Sequence, residues 1–181
     1  AMITNNDIRV GINTNLTANF SELIETADMS NIIIQPAIHF EELDRLNKKD
    51  TFIKNYNELR KTKCTLKPIA VAYPGISTDK FIEYIKEYRE KHDIDFKFTP
   101  FMGEFKGKKY PSSYSSDELD FFNIRSLTES TYDHVNNPKG IKCNAGITHL
   151  AITDTGDIYP CVDTLFNSPP LHKIGHVSYG S

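Results

Sequence analysis

Residues 31–40, "NIIIQPAIHF", decide the fold class of this 181-residue chain. They form a short, continuous apolar run rich in β-branched isoleucine, which is typical of a strand buried on both faces of a parallel sheet. An antiparallel strand with one face in water would alternate apolar and polar residues instead. Parallel strands need crossover connections, which are usually helices. The run therefore predicts helices before and after it, and further strands beyond them.

Strand and helix patterns alternate on both sides of this run. Further strands are predicted at "DIRVGINTN" (7–15), "TLKPIAVAYPG" (65–75) and "DIDFKFTPFMGEF" (93–105). Helices are expected between and after them, and the later two start at Ser77 or Thr78 and at Ser115. A strand recurs about every 25 to 30 residues, which predicts four parallel βα units. This is an α/β fold, either half of an eight-fold barrel or a small open sheet. In the helix after Ser77, the residues expected to face inward are Phe81, Ile82, Ile85 and Tyr88.

The pattern changes after residues 137–140, "NPKG". Residues 146–161 predict a small antiparallel β-hairpin around the turn 154–157, "DTGD", with Thr153 roughly opposite Ile158. We therefore expect two parts, a βα region at 1–137 and an appended β unit at 138–181.

Composition excludes several classes of function. A formal net charge of −3 and a pI near 6.1 argue against a nucleic-acid partner, which usually requires a basic excess. No apolar stretch has the length of a membrane span, and no signal segment opens the chain. Three cysteines do not form a secreted disulfide framework, so we expect a reducing, cytoplasmic setting. The opening Ala-Met suggests an excised piece of a longer protein.

Candidate ligand-binding residues follow the predicted strands. Ligands of parallel α/β sheets bind at the carboxyl ends of the strands, where the connecting loops converge. The candidate residues at these strand ends include no catalytic triad, paired carboxylates or glycine-rich phosphate loop, so they would form a weak catalytic site by themselves. The residues predicted at these ends are Asn13, Thr14, Asn15, Gln35, Tyr73, Thr99, Phe101, Gly103 and Glu104.

Two of the three cysteines, Cys143 and Cys161, flank the predicted hairpin. Cys143 precedes Leu150, the expected neighbour of Cys161, by seven residues, or about 23 Å of straight strand. The pair can meet only if the chain doubles back, which the corner at 144–146 ("NAG") permits. Spacing alone leaves three alternatives open: unrelated cysteines, a disulfide, or a metal site. A zinc site would need histidines such as His149, His172 or His176.

The hairpin resembles the start of the SPASM or twitch extension found in many radical S-adenosylmethionine enzymes. The resemblance rests on "CNAG" at 143–146, "DTGDIYPC" at 154–161 and "LHKIGHVSYGS" at 171–181. "VGINTNLT" at 10–17 is similar to the "TNG" segment on the third strand of that family's barrel, with Leu16 in place of glycine. The resemblance implies that 1–137 is the later part of a partial (β/α) barrel and 138–181 the start of the extension.

The resemblance also implies cofactors and site residues. Cys143 and Cys161 would be ligands of an auxiliary 4Fe-4S cluster, although two thiolates do not complete one. Asn13, Thr14, Asn15 and Gln35 would bind S-adenosylmethionine or substrate, and Tyr73, Thr99 and Glu104 would line the substrate side of the rim. The family's Cys-x3-Cys-x2-Cys loop and "GGEP" segment are absent from this chain. The intact oxidoreductase would abstract hydrogen from a peptide or protein, and we expect this piece alone to be inactive.

An alternative interpretation is a small α/β binding module whose hairpin is held by zinc or by packing alone. Under either interpretation we expect no nucleic-acid or membrane partner. An open barrel would leave an unpaired strand edge, through which the chain could self-associate. Cys64 lies before the third strand and is expected to be a small buried residue.

Overall fold

The computed structural model describes residues 9–128, 142–153, 155–161 and 172–177. The chain divides into two compact units, Ala1–His134 and Val135–Ser181. The first holds a parallel sheet with its helices, and the second holds a small antiparallel sheet. No helix among the described residues is long and apolar enough to cross a membrane.

The first unit confirms the predicted alternation of strands and helices. Its strands are β1 (Val10–Thr14), β2 (Ile32–Ile38), β3 (Thr65–Leu66), β4 (Ile69–Ala72), β5 (Lys97–Pro100), β6 (Gly103–Phe105) and β7 (Lys108–Tyr110). Its helices are α1 (Ser21–Thr26), α2 (Phe40–Arg45), α3 (Lys49–Arg60), α4 (Thr78–Ile85) and α5 (Ser116–Phe121). A 3₁₀ turn at Met29–Asn31 precedes β2, and one π-helical segment, Lys86–Lys91, continues α4.

The main sheet is parallel and its strands follow chain order, β1-β2-β4-β5. The short strand β3 pairs with β2 on the same side as β4, so β3 and β4 together form the third position of the sheet. Among the described residues the sheet is open: β1 and β5 lie at its edges, and no closed barrel forms.

Two prolines explain why the predicted third strand is split into β3 and β4. Ile34 pairs with Leu66 and Ala37 pairs with Ile69, so Pro36 lies opposite the break that contains Pro68. Proline has no N–H to donate to a strand ladder, and therefore regular pairing stops where the two meet.

One face of the sheet packs against the helices to form the core. The buried strand residues alternate along each strand, as in Ile32, Ile34 and Ile38 of β2, and they cluster with buried residues of α3 and α4. Phe40 lies at the centre of an aromatic group: its ring stacks on Tyr84 at 4.5 Å. Each fully buried side chain of this size stabilises the fold by about 1.5–3 kcal/mol. The edges of three further rings also contact Phe40, those of Phe81, Tyr88 and Phe96.

The face of the sheet opposite the core is less buried than predicted. The run at 31–40 was expected to be buried on both faces, but Ile33, Gln35 and Ala37 are only half-buried. The described helices pack against the face that carries Ile32, Ile34 and Ile38, so no helix in this part of the chain covers the alternate residues of β2. A continuous apolar run does not reveal whether helices cover one face of the sheet or both. Residues on the uncovered face can also be apolar, as Ile33 and Ala37 are.

The predicted helix start at Ser77 is confirmed. The predicted inward position of Ile82 and the predicted end of the strand at 93–105 are wrong. Ser77 caps α4 by accepting a hydrogen bond from the Lys80 N–H. Ile82 was predicted to face inward, but 37% of it is exposed, and Tyr84 is buried instead. The strand predicted at 93–105 ends at Pro100, because residues 103–105 turn away as β6 and pair with β7.

The second unit contains a three-stranded antiparallel sheet in the order β10-β9-β8. Its strands are β8 (Ala151–Ile152), β9 (Asp157–Tyr159) and β10 (Gly175–His176). The predicted hairpin is therefore present as β8 and β9, while β10 was not predicted. The register differs by one residue from the expectation: Ile152, not Thr153, pairs with Ile158. Thr153 instead donates its N–H to the carbonyl of Asp157 and belongs to the turn.

Candidate functional site

The candidate site of the first unit begins on the face of the sheet that lies opposite the core. Asn13 on β1 and Gln35 on β2 are paired residues in neighbouring parallel strands, about 4.8 Å apart. Paired residues of parallel strands project to the same side, so these two amides lie next to each other. Val71 and Thr99 are paired in the same way on β4 and β5. We call this surface the open face; it consists of Gly11, Asn13, Ile33, Gln35, Ala37, Val71 and Thr99, all exposed or half-buried.

Thr14 and Asn15 were predicted beside Asn13, but the structure uses their side chains locally. Thr14 Oγ1 accepts a hydrogen bond from the N–H of Leu16 at 3.1 Å. Asn15 Oδ1 accepts hydrogen bonds from both the N–H and the hydroxyl of Thr17. These bonds form the turn that follows β1, in which Leu16 has a positive φ of 52° and is fully buried. Asn13 and Gln35 are therefore the better candidates for contact with a ligand.

Gln35 lies in the middle of its strand. β2 continues to Ile38, so its carboxyl end is followed by His39 and the first turn of α2. Gln35 was predicted at the carboxyl end of its strand, but β2 runs three residues further, to Ile38. Here Pro36 is accommodated opposite the break between β3 and β4.

The three residues predicted at the rim lie in three different places. Thr99 is half-buried on the open face, and Tyr73 directly follows β4. The Tyr73 ring contacts the rings of Phe101 and Phe105 at centroid distances of 5.3 and 5.2 Å. Glu104 is exposed on the β6–β7 hairpin opposite Lys109.

Tyr114 joins the carboxyl ends of β4 and β5. Its hydroxyl donates a hydrogen bond to the carbonyl of Ala72 and accepts one from the N–H of Phe101 at 2.9 Å. Burial raises the pKa of Tyr114 to about 12. The hydroxyl is therefore protonated at neutral pH and holds the two strand ends at a fixed separation.

A cavity of about 210 Å³ opens at the carboxyl ends of β2 and β4. Its apolar wall is formed by side chains that follow or end these strands, including Val71, Tyr73 and Ile76. The polar part is contributed by His39, Glu41 and Glu42. The other two lining residues are Ile38 and Phe40.

Sequence reasoning missed most of this lining. The signal was present, because "HFEE" at 39–42 directly follows an apolar strand, which is the position from which ligands are bound in α/β sheets. Of the residues that line the cavity, only Tyr73 was among the predicted strand-end residues. Tyr114 carried no local signal, since its two partners are 13 and 42 residues away in the chain.

The cysteines of the second unit lie beside a corner of the predicted kind. Gly146 has a positive φ of 79°, and its N–H donates to the carbonyls of His149 and Pro160, at 2.9 and 3.0 Å. The chain therefore doubles back, which brings the segment after Cys143 to the residue before Cys161. The thiol of Cys143 is exposed and accepts a hydrogen bond from the N–H of Ala145 at 3.4 Å.

The ligand set expected for an iron-sulfur cluster is incomplete in this chain. The sequence has three cysteines, and Cys64 packs against the core of the first unit with its thiol directed to the Leu59 carbonyl. Cys64 is half-buried, less than expected. Among residues 9–128, 142–153, 155–161 and 172–177, no group of three or more His, Cys, Asp or Glu side chains is arranged to hold a metal ion. A four-thiolate cluster does not fit this chain by itself.

Comparisons with known proteins give no family for the chain. A scan of protein-family models, a search of curated proteins and a search of solved structures each returned no match.

Proposed function

We propose that this chain is the later part of a partial (β/α) barrel, followed by the start of a SPASM or twitch extension, from a radical S-adenosylmethionine enzyme. The observation that carries the proposal is the parallel order β1-β2-β4-β5, with the core on one face of the sheet and an open face that carries Asn13, Gln35 and Thr99 on the other. The intact enzyme would act on a peptide or protein by hydrogen abstraction.

The strand order favours a barrel wall rather than a doubly wound sheet. In a doubly wound sheet the order reverses at a switch point, and helices cover both faces. In a (β/α) barrel each strand is added next to the previous one, and all helices lie outside. The described sheet follows the second pattern, and both edge strands are left open to further pairing.

The chemistry of the open face supports ligand binding. The inward layers of a packed barrel are dominated by branched aliphatic side chains. Here the corresponding face carries the Asn13–Gln35 pair, Thr99 and a glycine at position 11. Amide and hydroxyl groups fix the orientation of a polar ligand by hydrogen bonding, which aliphatic residues do not.

The radical chemistry would depend on groups that this chain does not hold alone. In such enzymes the cluster and S-adenosylmethionine supply the radical, and the protein supplies placement. Within this chain, Asn13 and Gln35 would orient the ligand, and Tyr114 would keep the strand ends in position. Cys143 and Cys161 would contribute two thiolates to a cluster completed by other residues.

Anaerobic reconstitution with iron and sulfide tests the proposal. The protein should be produced from a gene segment extended in both directions, together with a matched variant in which Cys143 and Cys161 are both serine. We expect thiolate-to-iron charge-transfer absorption, with a smaller intensity in the double variant. Absence of this absorption from the extended protein, or upstream sequence without a Cys-x3-Cys-x2-Cys triplet, would contradict the proposal and favour the α/β binding module.

A further inference from the structure

We infer that the cavity lined by residues 38–42, Val71, Tyr73 and Ile76 binds the side chain of a lysine or arginine in a peptide ligand. We call it the strand-end cavity. The peptide nature of the ligand rests on the proposed function; the preference for a basic side chain rests on the cavity itself.

The size of the strand-end cavity limits its guest. Its volume of about 210 Å³ is smaller than the roughly 300–1,000 Å³ of sites for drug-sized molecules and cofactors. A single long side chain matches this space.

The walls suit the aliphatic stem of such a side chain. Val71 and Ile76 supply apolar surface, and Tyr73 supplies an aromatic ring. The ring is held firmly: Phe101 and Phe105 contact it, and a Cβ atom added at Gly75 would lie only 2.5 Å from its Cε1 atom. Lysine and arginine bury their methylene stems on apolar surface while keeping the charged head in a polar setting. A cation near an aromatic ring gains further attraction.

The charge of the lining selects a cation. Among the residues that the structure describes, no lysine or arginine lines the strand-end cavity, and two carboxylates do. Arg45 engages Glu42 through two hydrogen bonds of 2.9 and 2.5 Å, which lower the pKa of that carboxyl. Glu41 has no ion-pair partner within the described part of the chain. The amino end of the six-residue helix α2 carries a positive charge of at most about half an elementary charge, which repels a cation. The full negative charge of Glu41 is larger and attracts it.

The position of the strand-end cavity is suitable for substrate selection. It opens at the carboxyl ends of β2 and β4, where ligands of parallel sheets bind. Val71 belongs both to its wall and to the open face, so a peptide held by its basic side chain would have its backbone next to that face.

The test is a titration of the ¹⁵N-labelled 181-residue chain with the tripeptide acetyl-Gly-Arg-Gly-amide, followed by amide chemical shifts. The matched neutral probe carries citrulline, which has nearly the shape of arginine but no charge. We expect the arginine probe to shift the amides of Phe40, Val71, Tyr73 and Ile76. We expect Glu41→Gln to weaken the affinity of the chain for the arginine probe about fivefold, because a charge-assisted contact is lost. Glu90→Gln, a change at an exposed glutamate of the π-helical segment, should leave the affinity unchanged.

Three results would overturn the inference: equal binding of the citrulline probe, shifts confined to other residues, or equal weakening by Glu90→Gln. The outcome is independent of the iron-sulfur test. A positive titration with a negative reconstitution would support the strand-end cavity and contradict the radical enzyme. The reverse combination would contradict only the strand-end cavity.

Discussion

The hydroxyl of Tyr114 donates a hydrogen bond to the carbonyl of Ala72, 42 residues earlier in the chain. The same oxygen accepts the N–H of Phe101, so one side chain joins the ends of β4 and β5. Tyr114 is buried, with only 7% of its surface exposed. The strand-end cavity begins where β4 ends, and Phe101, which this bridge engages, also contacts the ring of Tyr73 in the cavity wall.

Replacing Tyr114 by phenylalanine should lower the free energy of unfolding by about 1–3 kcal/mol, because a buried carbonyl and N–H lose their partner. Urea denaturation measures the loss. Tyr110→Phe is the matched control, since the Tyr110 side chain is also buried but its hydroxyl has no hydrogen-bond partner within the described residues. Equal loss in both variants would contradict the role assigned to the bridge.

Stability should fall at alkaline pH partly because of Tyr114. Its pKa is about 12 in the folded protein and about 10 in the unfolded chain, so the folded state retains the proton more strongly. This contribution is complete below pH 10 and is lost as the pH rises from about 10 to 12, by about 2–3 kcal/mol. Burial also raises the pKa of Tyr84 and Tyr88. The difference between wild type and Tyr114→Phe, measured by urea denaturation from pH 9 to 12, therefore isolates the effect. A constant difference over this range would contradict it.

Replacing Gly75 by alanine should weaken binding in the strand-end cavity. The added Cβ would lie 2.5 Å from the Tyr73 ring, which must move. We expect the arginine probe to bind about threefold or more weakly, because the apolar wall is displaced. Gly175→Ala is the matched control, since a Cβ added there, in β10 of the second unit, would make only ordinary contacts of 3.5 Å or more. Unchanged affinity of Gly75→Ala in the same titration would show that Tyr73 is not part of the binding wall.

Replacing Cys143 by serine should change the free energy of unfolding by less than about 0.5 kcal/mol, because the thiol is exposed. Cys64→Ser is expected to cost about 1 kcal/mol, since Cys64 packs against the core. Thermal unfolding with and without a metal chelator measures both. A large, chelator-sensitive loss for Cys143→Ser would instead indicate a structural metal.

The outer edge of β1 is unpaired within the described ranges, and it should allow the chain to pair with a second copy, because such an edge exposes backbone donors and acceptors. Sedimentation equilibrium should show association that increases with concentration. Gly11→Lys should reduce it without loss of fold, since position 11 is exposed and spacious. A monomer at every concentration, or association unaffected by Gly11→Lys, would contradict pairing through β1.

Local sequence patterns determined the order of the elements and the starts of two helices. Ser77 and Ser115 were identifiable because a cap is made with a residue only three positions away, Lys80 or Glu118. The corner at Gly146 was identifiable for the same reason, since a positive φ favours glycine whatever surrounds it.

Contacts between distant residues were decided only by the tertiary structure. Pro36 continues its strand because Pro68 lies opposite it, and nothing near either residue in the chain indicates this pairing. The hairpin register differed by one residue because Thr153 is used by the turn. The strand-end cavity depends on where β2 ends and on the packing of Tyr73 against Phe105. The residue pattern of a strand records which positions are apolar, but burial of each face depends on the elements packed over it.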